Sequence, residues 1–257
     1  MKTQIDAVAE AMRRNGGFAT LRYLYERALE VEGVKWKTKT PFASMRRIVQ
    51  QSELFFKVKP GLWALHDYRD RLPQDIRAMM QNPDDRTTQG AELSHSYYQG
   101  LALELGHLKG HQTYVPAQDG NRLCAGRPLK LIADTTSIPE FTYDRVLRSV
   151  RMIDAIWFNS RGFPSSVIEI EHTTDFRGAF EKFSELLDFR VDMIAVGHSA
   201  RQRQFQDVIG RTVYEPLRTR VRYLDYEHLA MLHSSTLTLA EAEGKSRPKT
   251  ARRDCVT

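Results

Sequence analysis

Three carboxylates stand out, because their spacing puts them within reach of one another on paired strands. Asp154 lies inside the apolar, aromatic run Ile153-Asp154-Ala155-Ile156-Trp157-Phe158. Glu169 and Glu171 alternate with Ile168 and Ile170, the period-two pattern of a strand with a buried face. Between the runs, Asn159-Ser160-Arg161-Gly162-Phe163-Pro164 is rich in turn residues, so the two runs read as a β-hairpin. Residues two apart on a strand share a face, so Glu169 and Glu171 point the same way. An antiparallel neighbour brings Asp154 opposite them, giving three carboxylates around one point among apolar residues. Such like charges cannot be kept together without compensation: they take up protons, pair with Arg or Lys, or hold a cation. Oxygen-only ligands suit a hard ion, Mg²⁺ or Mn²⁺. The plainer alternative is an exposed hairpin face with ordinary solvated acids.

Positioning these residues takes a larger frame. Residues 92–109 carry Leu93, Tyr97, Leu101, Leu105 and Leu108 at three- and four-residue steps, which predicts a helix. A strand at 112–117 precedes the hairpin. A helix over 176–190, a strand over 191–196, a helix over 200–209, a strand over 221–224 and a helix over 226–232 follow it. Residues 121–144 form a long insertion with Gly and Pro, expected on the surface.

This order of elements, with Asp154 and then Glu169-Ile170-Glu171 after a hairpin turn, resembles the PD-(D/E)XK nuclease superfamily, the restriction-endonuclease-like fold, over residues 92–228. The chain departs from that pattern in two places. Glu171 stands where Lys is usual, as in a minority of restriction enzymes, and Ile153 stands where Pro commonly precedes the Asp. The resemblance implies that Asp154 and Glu169 ligate Mg²⁺ (Mn²⁺ as an alternative), with the Ile170 carbonyl as a further ligand. Glu171 would bind or deprotonate the attacking water. Some relatives place a displaced Lys on the following helix, which makes Lys182 an alternative base or charge stabiliser. Glu92 and Glu104 are the acids of the first helix that could join the site. Arg145, Arg148 and Arg151 lead into the Asp154 strand and could answer the carboxylates or substrate phosphates. His172 follows Glu171, so it should face the other way, as a packed, hydrogen-bonded histidine. No role is assigned to His198.

At 257 residues, with 41% hydrophobic and 27% charged residues, the chain has the composition of a soluble globular protein. A net charge of +6 favours a polyanionic partner. The two cysteines, Cys124 and Cys255, fit no metal-ligand spacing and no disulfide framework, which points to a reducing cytoplasm. No apolar leader and no membrane-length apolar stretch is present, so no membrane association is expected.

Residues 1–66 read as a small separate domain. Three helices are followed by two short strands about Lys59-Pro60-Gly61, an arrangement that resembles a winged helix-turn-helix. The third helix starts at Thr40-Pro41, with Thr40 as cap. Between Lys35 and Lys59 there are seven basic residues, Lys35, Lys37, Lys39, Arg46, Arg47, Lys57 and Lys59, against the single acid Glu53. Such a cluster gives sequence-independent, salt-sensitive affinity for DNA phosphates. Base reading would fall to Ser44 or Arg47 on the third helix. Residues 67–91 read as a linker with one short helix, 92–234 as the nuclease domain and 235–257 as a frayed tail.

The expected fold is therefore α+β or α/β, a winged helix followed by a mixed β-sheet flanked by helices. The expected function is a Mg²⁺-dependent endodeoxyribonuclease acting on double-stranded DNA. A type II restriction endonuclease comes first, in either a plain or a modification-dependent form, and cutting two strands implies a homodimer. The alternatives are a non-catalytic DNA-binding regulator that kept the fold and a repair or transposition nickase.

Overall fold

The computed structural model describes residues 2–36, 38–80, 88–172 and 175–244. Lys37, Thr173, Thr174, Cys255, the linker turn at 81–87 and the tail beyond 244 lie outside the described residues.

Helix α1 (Gln4–Arg14) starts with a capping box, in which Thr3 and Asp6 satisfy each other's backbone N–H groups. It ends at Gly16 and Gly17, which take φ of 77° and 90°, a conformation other residues adopt only with strain. Strand β1 (Phe18–Thr20) follows, then α2 (Leu21–Arg27), capped by Thr20, and a 3₁₀ turn at Ala28–Glu30. Helix α3 (Pro41–Gln51) has Pro in its first turn, but Thr40 makes no side-chain cap hydrogen bond. Its hydroxyl lies 3.2 Å from Thr38 Oγ1 instead, which corrects the expected cap. Strands β2 (Phe55–Lys59) and β3 (Leu62–Leu65) form a hairpin, and β1 pairs with β3 to give an antiparallel sheet of order β1-β3-β2. A three-residue strand carries too little alternation to be read from sequence, so β1 was not expected. After a 3₁₀ segment at His66–Arg71 comes α4 (Gln74–Met80).

The rest of the chain builds a mixed sheet. Helix α5 (Thr88–Leu108) leads to β4 (Gln112–Tyr114), and a small hairpin of β5 (Leu123–Cys124) and β6 (Arg127–Pro128) follows. Helix α6 (Asp144–Val150), β7 (Ala155–Phe158), β8 (Pro164–Glu171) and α7 (Arg177–Ser184) come next. Strand β9 (Asp192–Gly197), α8 (Gln202–Ile209), β10 (Val221–Asp225) and α9 (Tyr226–Ala242) complete the chain. The strand order is β10-β9-β8-β7-β4. Strands β4, β7 and β8 run antiparallel, whereas β8, β9 and β10 run parallel.

Both faces of this sheet are covered. On one, Trp157, Ile168, Ile170 and Val196 meet Tyr98, Leu101 and Leu105 of α5 and Leu229 of α9. On the other, Ile156, Val167, Met193 and Ala195 meet Phe180 and Phe183 of α7 and Phe205 and Val208 of α8. Each such large apolar side chain contributes about 1.5–3 kcal/mol on burial. Gly106 lets α5 approach the sheet: a Cβ there would lie 2.6 Å from the side chains of Thr113 and Trp157.

Three expectations need correction. The tail predicted from residue 235 begins as helix, because Leu237 and Ala240 are buried apolar residues on α9. The insertion at 121–144 is not all surface: it contains β5 and β6 and leads into α6, and Cys124 is buried against α5. The N-terminal part is not set apart in packing, since Leu62, Ala64, Ile76 and Met79 share one core with Tyr97, Leu101 and Ala230. The turn of the β2–β3 hairpin is docked, with Tyr97 Oη donating a 2.8 Å hydrogen bond to the Pro60 carbonyl. Among the described residues, no helix is long and apolar enough to cross a membrane.

Candidate active site

The hairpin register pairs Ala155 with Ile168, and one further step places Asp154 opposite Glu169. The Ile170 N–H donates to Asp154 Oδ2 at 2.7 Å, which ties the two strands at this point. Glu169 is 3% exposed. Its Oε2 accepts from Lys182 Nζ at 2.5 Å, and the same ammonium donates to the Met152 carbonyl at 3.1 Å. Lys182 reaches in from α7, whose apolar face (Ala179, Phe180, Phe183) is buried against the sheet. The structure thus brings Asp154, Glu169 and Lys182 together.

Electrostatics divide the two acids. Burial pushes the Asp154 carboxyl up, but His95, the Ile170 N–H and Lys182 outweigh it and hold Asp154 below the usual range. Burial and the neighbouring Asp154 charge push Glu169 well above the usual range, against the pull of Lys182. Lys182 is itself raised: burial lowers it, but Glu169 more than compensates.

Sequence reasoning missed the groups that hold Asp154 from behind. His95 Nε2 lies 3.3 Å from Asp154 Oδ1, within ion-pair distance. Gln99, one turn along α5 and fully buried, donates from Nε2 to the Asp154 main-chain carbonyl at 2.7 Å and to Asp119 Oδ2 at 3.2 Å. The available signal was a pair of polar residues four apart on the first helix, on the side away from its leucine stripe. The acids named there lie elsewhere. Glu92 is exposed, and Glu104 is buried against His233 at 2.9 Å and Arg22 at 3.2 Å.

The three carboxylates do not converge. Among the described residues, no group of three His, Cys, Asp or Glu side chains could hold a metal ion. Glu171 lies two residues beyond Glu169, a rise of roughly 6.6 Å along the strand. Its main-chain carbonyl accepts from Arg201 Nη1 at 3.0 Å. A hard cation still fits the remaining donors. Glu169 Oε1 is buried and has no hydrogen-bond partner, and such an atom is costly unless something meets it. Mg²⁺ is commonly held by one or two carboxylates with waters completing its shell.

Other expected residues are spread more widely. Arg145, Arg148 and Arg151 are exposed and form no ion pair among the described residues. His172 is half-buried and bonds Tyr226 Oη through Nδ1 at 2.9 Å. Burial first, then the charges of Lys59 and His95, push its pKa down to about 4. His198 caps the short turn after β9, accepting from the Ala200 N–H. Lys35, Lys39 and Arg47 are exposed, Arg46 is half-buried, and the Ser44 hydroxyl reaches back to the Thr40 carbonyl at 3.4 Å. Lys57 pairs with Glu227 at 2.7 Å, and Lys59 is half-buried against the sheet domain, with burial pushing its pKa down.

Comparison with protein families gives one match, to the type II restriction enzyme NmeDI C-terminal domain, over residues 71–243, about two thirds of the chain. The chain belongs to this family. The segment shared with the NmeDI C-terminal-domain family begins just before α4, ends with α9, and contains Asp154, Glu169, Glu171, Lys182 and His95. The N-terminal helices and their small sheet lie outside it. Comparisons with curated proteins and with solved structures gave no match.

Proposed function

We propose that the chain is a metal-dependent DNA endonuclease of the type II restriction class, built on the PD-(D/E)XK plan. The observation that carries this reading is the pairing of Asp154 opposite Glu169 on adjacent buried strands, with Lys182 2.5 Å from Glu169. Family membership supports it, as does the mixed sheet with its antiparallel β4-β7-β8 and parallel β8-β9-β10 halves.

Asp154, Glu169 and the Ile170 carbonyl would hold Mg²⁺ or Mn²⁺. Bound there, the ion would lower the pKa of a water and neutralise charge on the scissile phosphate. Lys182 takes the place of the missing motif lysine: its ammonium stabilises charge building on the phosphate and fixes the Glu169 carboxylate. His95 and Gln99 orient Asp154. Glu171, two residues along the strand, would accept the proton of the attacking water.

The N-terminal helices with the β1-β3-β2 sheet support a winged-helix reading, and α3 with Lys39, Arg46 and Arg47 supplies the phosphate-facing charge. The docked hairpin departs from a free wing. Contact along the duplex is therefore assigned to α3 and the loop before it, since the docked hairpin is not free to lie in a groove. Cutting both strands calls for two such sites, and we assign a homodimer on that ground.

The test is digestion of methylated and unmethylated plasmid with Mg²⁺ or with EDTA. Discrete bands that need Mg²⁺ and disappear in Glu169→Ala establish the nuclease. Binding without cleavage of either substrate would overturn it in favour of a DNA-binding regulator.

A further inference from the structure

A cavity of about 220 Å³ lies between the β2–β3 hairpin, α4 and the carboxyl ends of β8, β9 and β10. Lys59, Met80, Tyr98, His172, His198 and Tyr226 line it. The carboxyl ends of parallel strands are where open α/β sheets bind ligands. His172 directly follows Glu171, so the cavity adjoins the carboxylate site.

We propose that this cavity takes a single nucleotide of the DNA, turned out of the duplex beside the cleavage site; the inference rests on the nuclease reading above. The volume is below the roughly 300–1,000 Å³ of sites for drug-sized ligands and suits one planar heterocycle. The walls carry Tyr98, Tyr226, Met79 and Met80 to stack on and cover a base, together with polar groups that include two acids, Asp225 paired with His228 and Glu227 paired with Lys57. The rings of Tyr98 and Tyr226 stack at 3.7 Å and 2°, which makes a rigid flat floor. Tyr226 Oη is fixed by His172 Nδ1 at 2.9 Å. That leaves the other imidazole nitrogen of His172 to meet a base edge, as Met79 and Met80 close over its face. Lys59, half-buried at the rim, forms no ion pair among the described residues. Its ammonium is placed to meet the phosphate of the same nucleotide. The hairpin supplies one wall and the sheet the other, so the occupant would bridge the N-terminal part and the catalytic part.

The test has two arms. In the first, full-length protein is titrated with the four deoxynucleoside 5′-monophosphates, with deoxyribose 5-phosphate and inorganic phosphate as controls, and the imidazole resonances of His172 and His198 are followed by NMR. Nucleotides should shift both resonances and the controls should not, with binding roughly tenfold weaker in the cavity-filling Met80→Trp and in Lys59→Met. Equal shifts with inorganic phosphate would reduce the cavity to an anion site, and no shift with any nucleotide would overturn the proposal. In the second arm, 2-aminopurine is placed at successive positions of a bound oligonucleotide duplex without divalent cation. Fluorescence should rise at one position and fall back in Met80→Trp. Binding with unchanged fluorescence throughout would overturn the proposal while leaving cleavage by the Asp154–Glu169 site intact. Failure of the nuclease reading would show separately, as wild-type protein that binds plasmid in Mg²⁺ without cleaving it.

Discussion

Lys182 Nζ sits 2.5 Å from Glu169 Oε2 although the two residues come from different elements, α7 and β8. Glu169 is almost fully buried beside Asp154; burial and that neighbouring charge favour its protonated form, and the Lys182 ammonium opposes them. The pair ties α7 to the hairpin, and on the proposed nuclease reading its ammonium would also present charge to a phosphate. Replacing Lys182 by Met keeps the stem and removes the charge. Cleavage rate should fall about 10²–10³-fold, the cost of losing one preorganised charge stabiliser. Plasmid nicking under single-turnover conditions measures this. A fall of less than threefold would remove Lys182 from the chemistry.

His95 provides a second check on how Asp154 is held. Burial lowers the His95 pKa, but the Asp154 carboxylate outweighs it and raises the value. A raised histidine contributes stability below its unfolded pKa of about 6.5 and loses it as pH rises through the folded value. The His95→Gln variant should therefore be less stable than the wild type at pH 6, with the gap closing by pH 9. Urea denaturation at the two pH values tests this. A gap that is constant or widens toward pH 9 would show that the contact carries no charge.

Some of this was legible in the chain and some was not. The hairpin and its pairing of Asp154 with the Glu169 strand could be placed because alternation fixes faces locally, whereas Lys182 entered only as an alternative that the family resemblance implies. His95 and Gln99 could not, since their role depends on how α5 crosses the sheet, a tertiary relation with no local signature. The same holds for Glu104: from sequence it is one more helix acid, and only the docking of α2 and α9 onto α5 makes it a buried ion-pair centre. Convergence of Glu171 was expected because strand periodicity gives a shared face but not the distance between two residues along it.

The Glu104 network predicts how the N-terminal part is held. Glu104 is buried with His233 at 2.9 Å and Arg22 at 3.2 Å, and Arg127 stands 4.0 Å away. Burial pushes its carboxyl up, but His233 and the two arginines bring it below the usual range. Glu104→Leu leaves the buried His233 without its anion and Arg22 with Glu26 alone, and should cost about 3–5 kcal/mol. Adding His233→Leu should recover part of that loss, because two apolar residues can fill the space the pair occupied. Chemical denaturation of the single and double variants tests the coupling. Additive losses would mean that the two side chains do not interact.

Gly61 tests whether the hairpin is truly fixed against the helices. Its φ is 84°, and a Cβ there would lie 3.0 Å from Tyr97 Oη and 3.5 Å from Ala230. Gly61→Ala combines an unfavourable backbone conformation with that contact and should destabilise by about 1–3 kcal/mol. The Tyr97–Pro60 hydrogen bond should break with it, so hydrogen exchange should rise in β2 and β3 before it rises in β8. Wild-type stability with unchanged exchange would show a hairpin that swings free of α5.

His172 gives the last prediction, and its sign is opposite to that of His95. Burial, with Lys59 and His95 nearby, lowers its pKa to about 4. The folded state therefore keeps His172 neutral where the unfolded chain, with an ordinary value near 6.5, already binds a proton. Stability from this residue is full above about pH 6.5 and is lost as pH falls toward 4. Because the imidazole is half-exposed, the slope should stay below about 1 kcal/mol per pH unit. Substitution by Gln keeps a polar partner for Tyr226 and removes the titration. Between pH 7 and pH 5, guanidinium midpoints should fall more for the wild type than for His172→Gln. Equal falls would mean that another group carries the acid sensitivity, and that His172 is free to protonate in the folded protein.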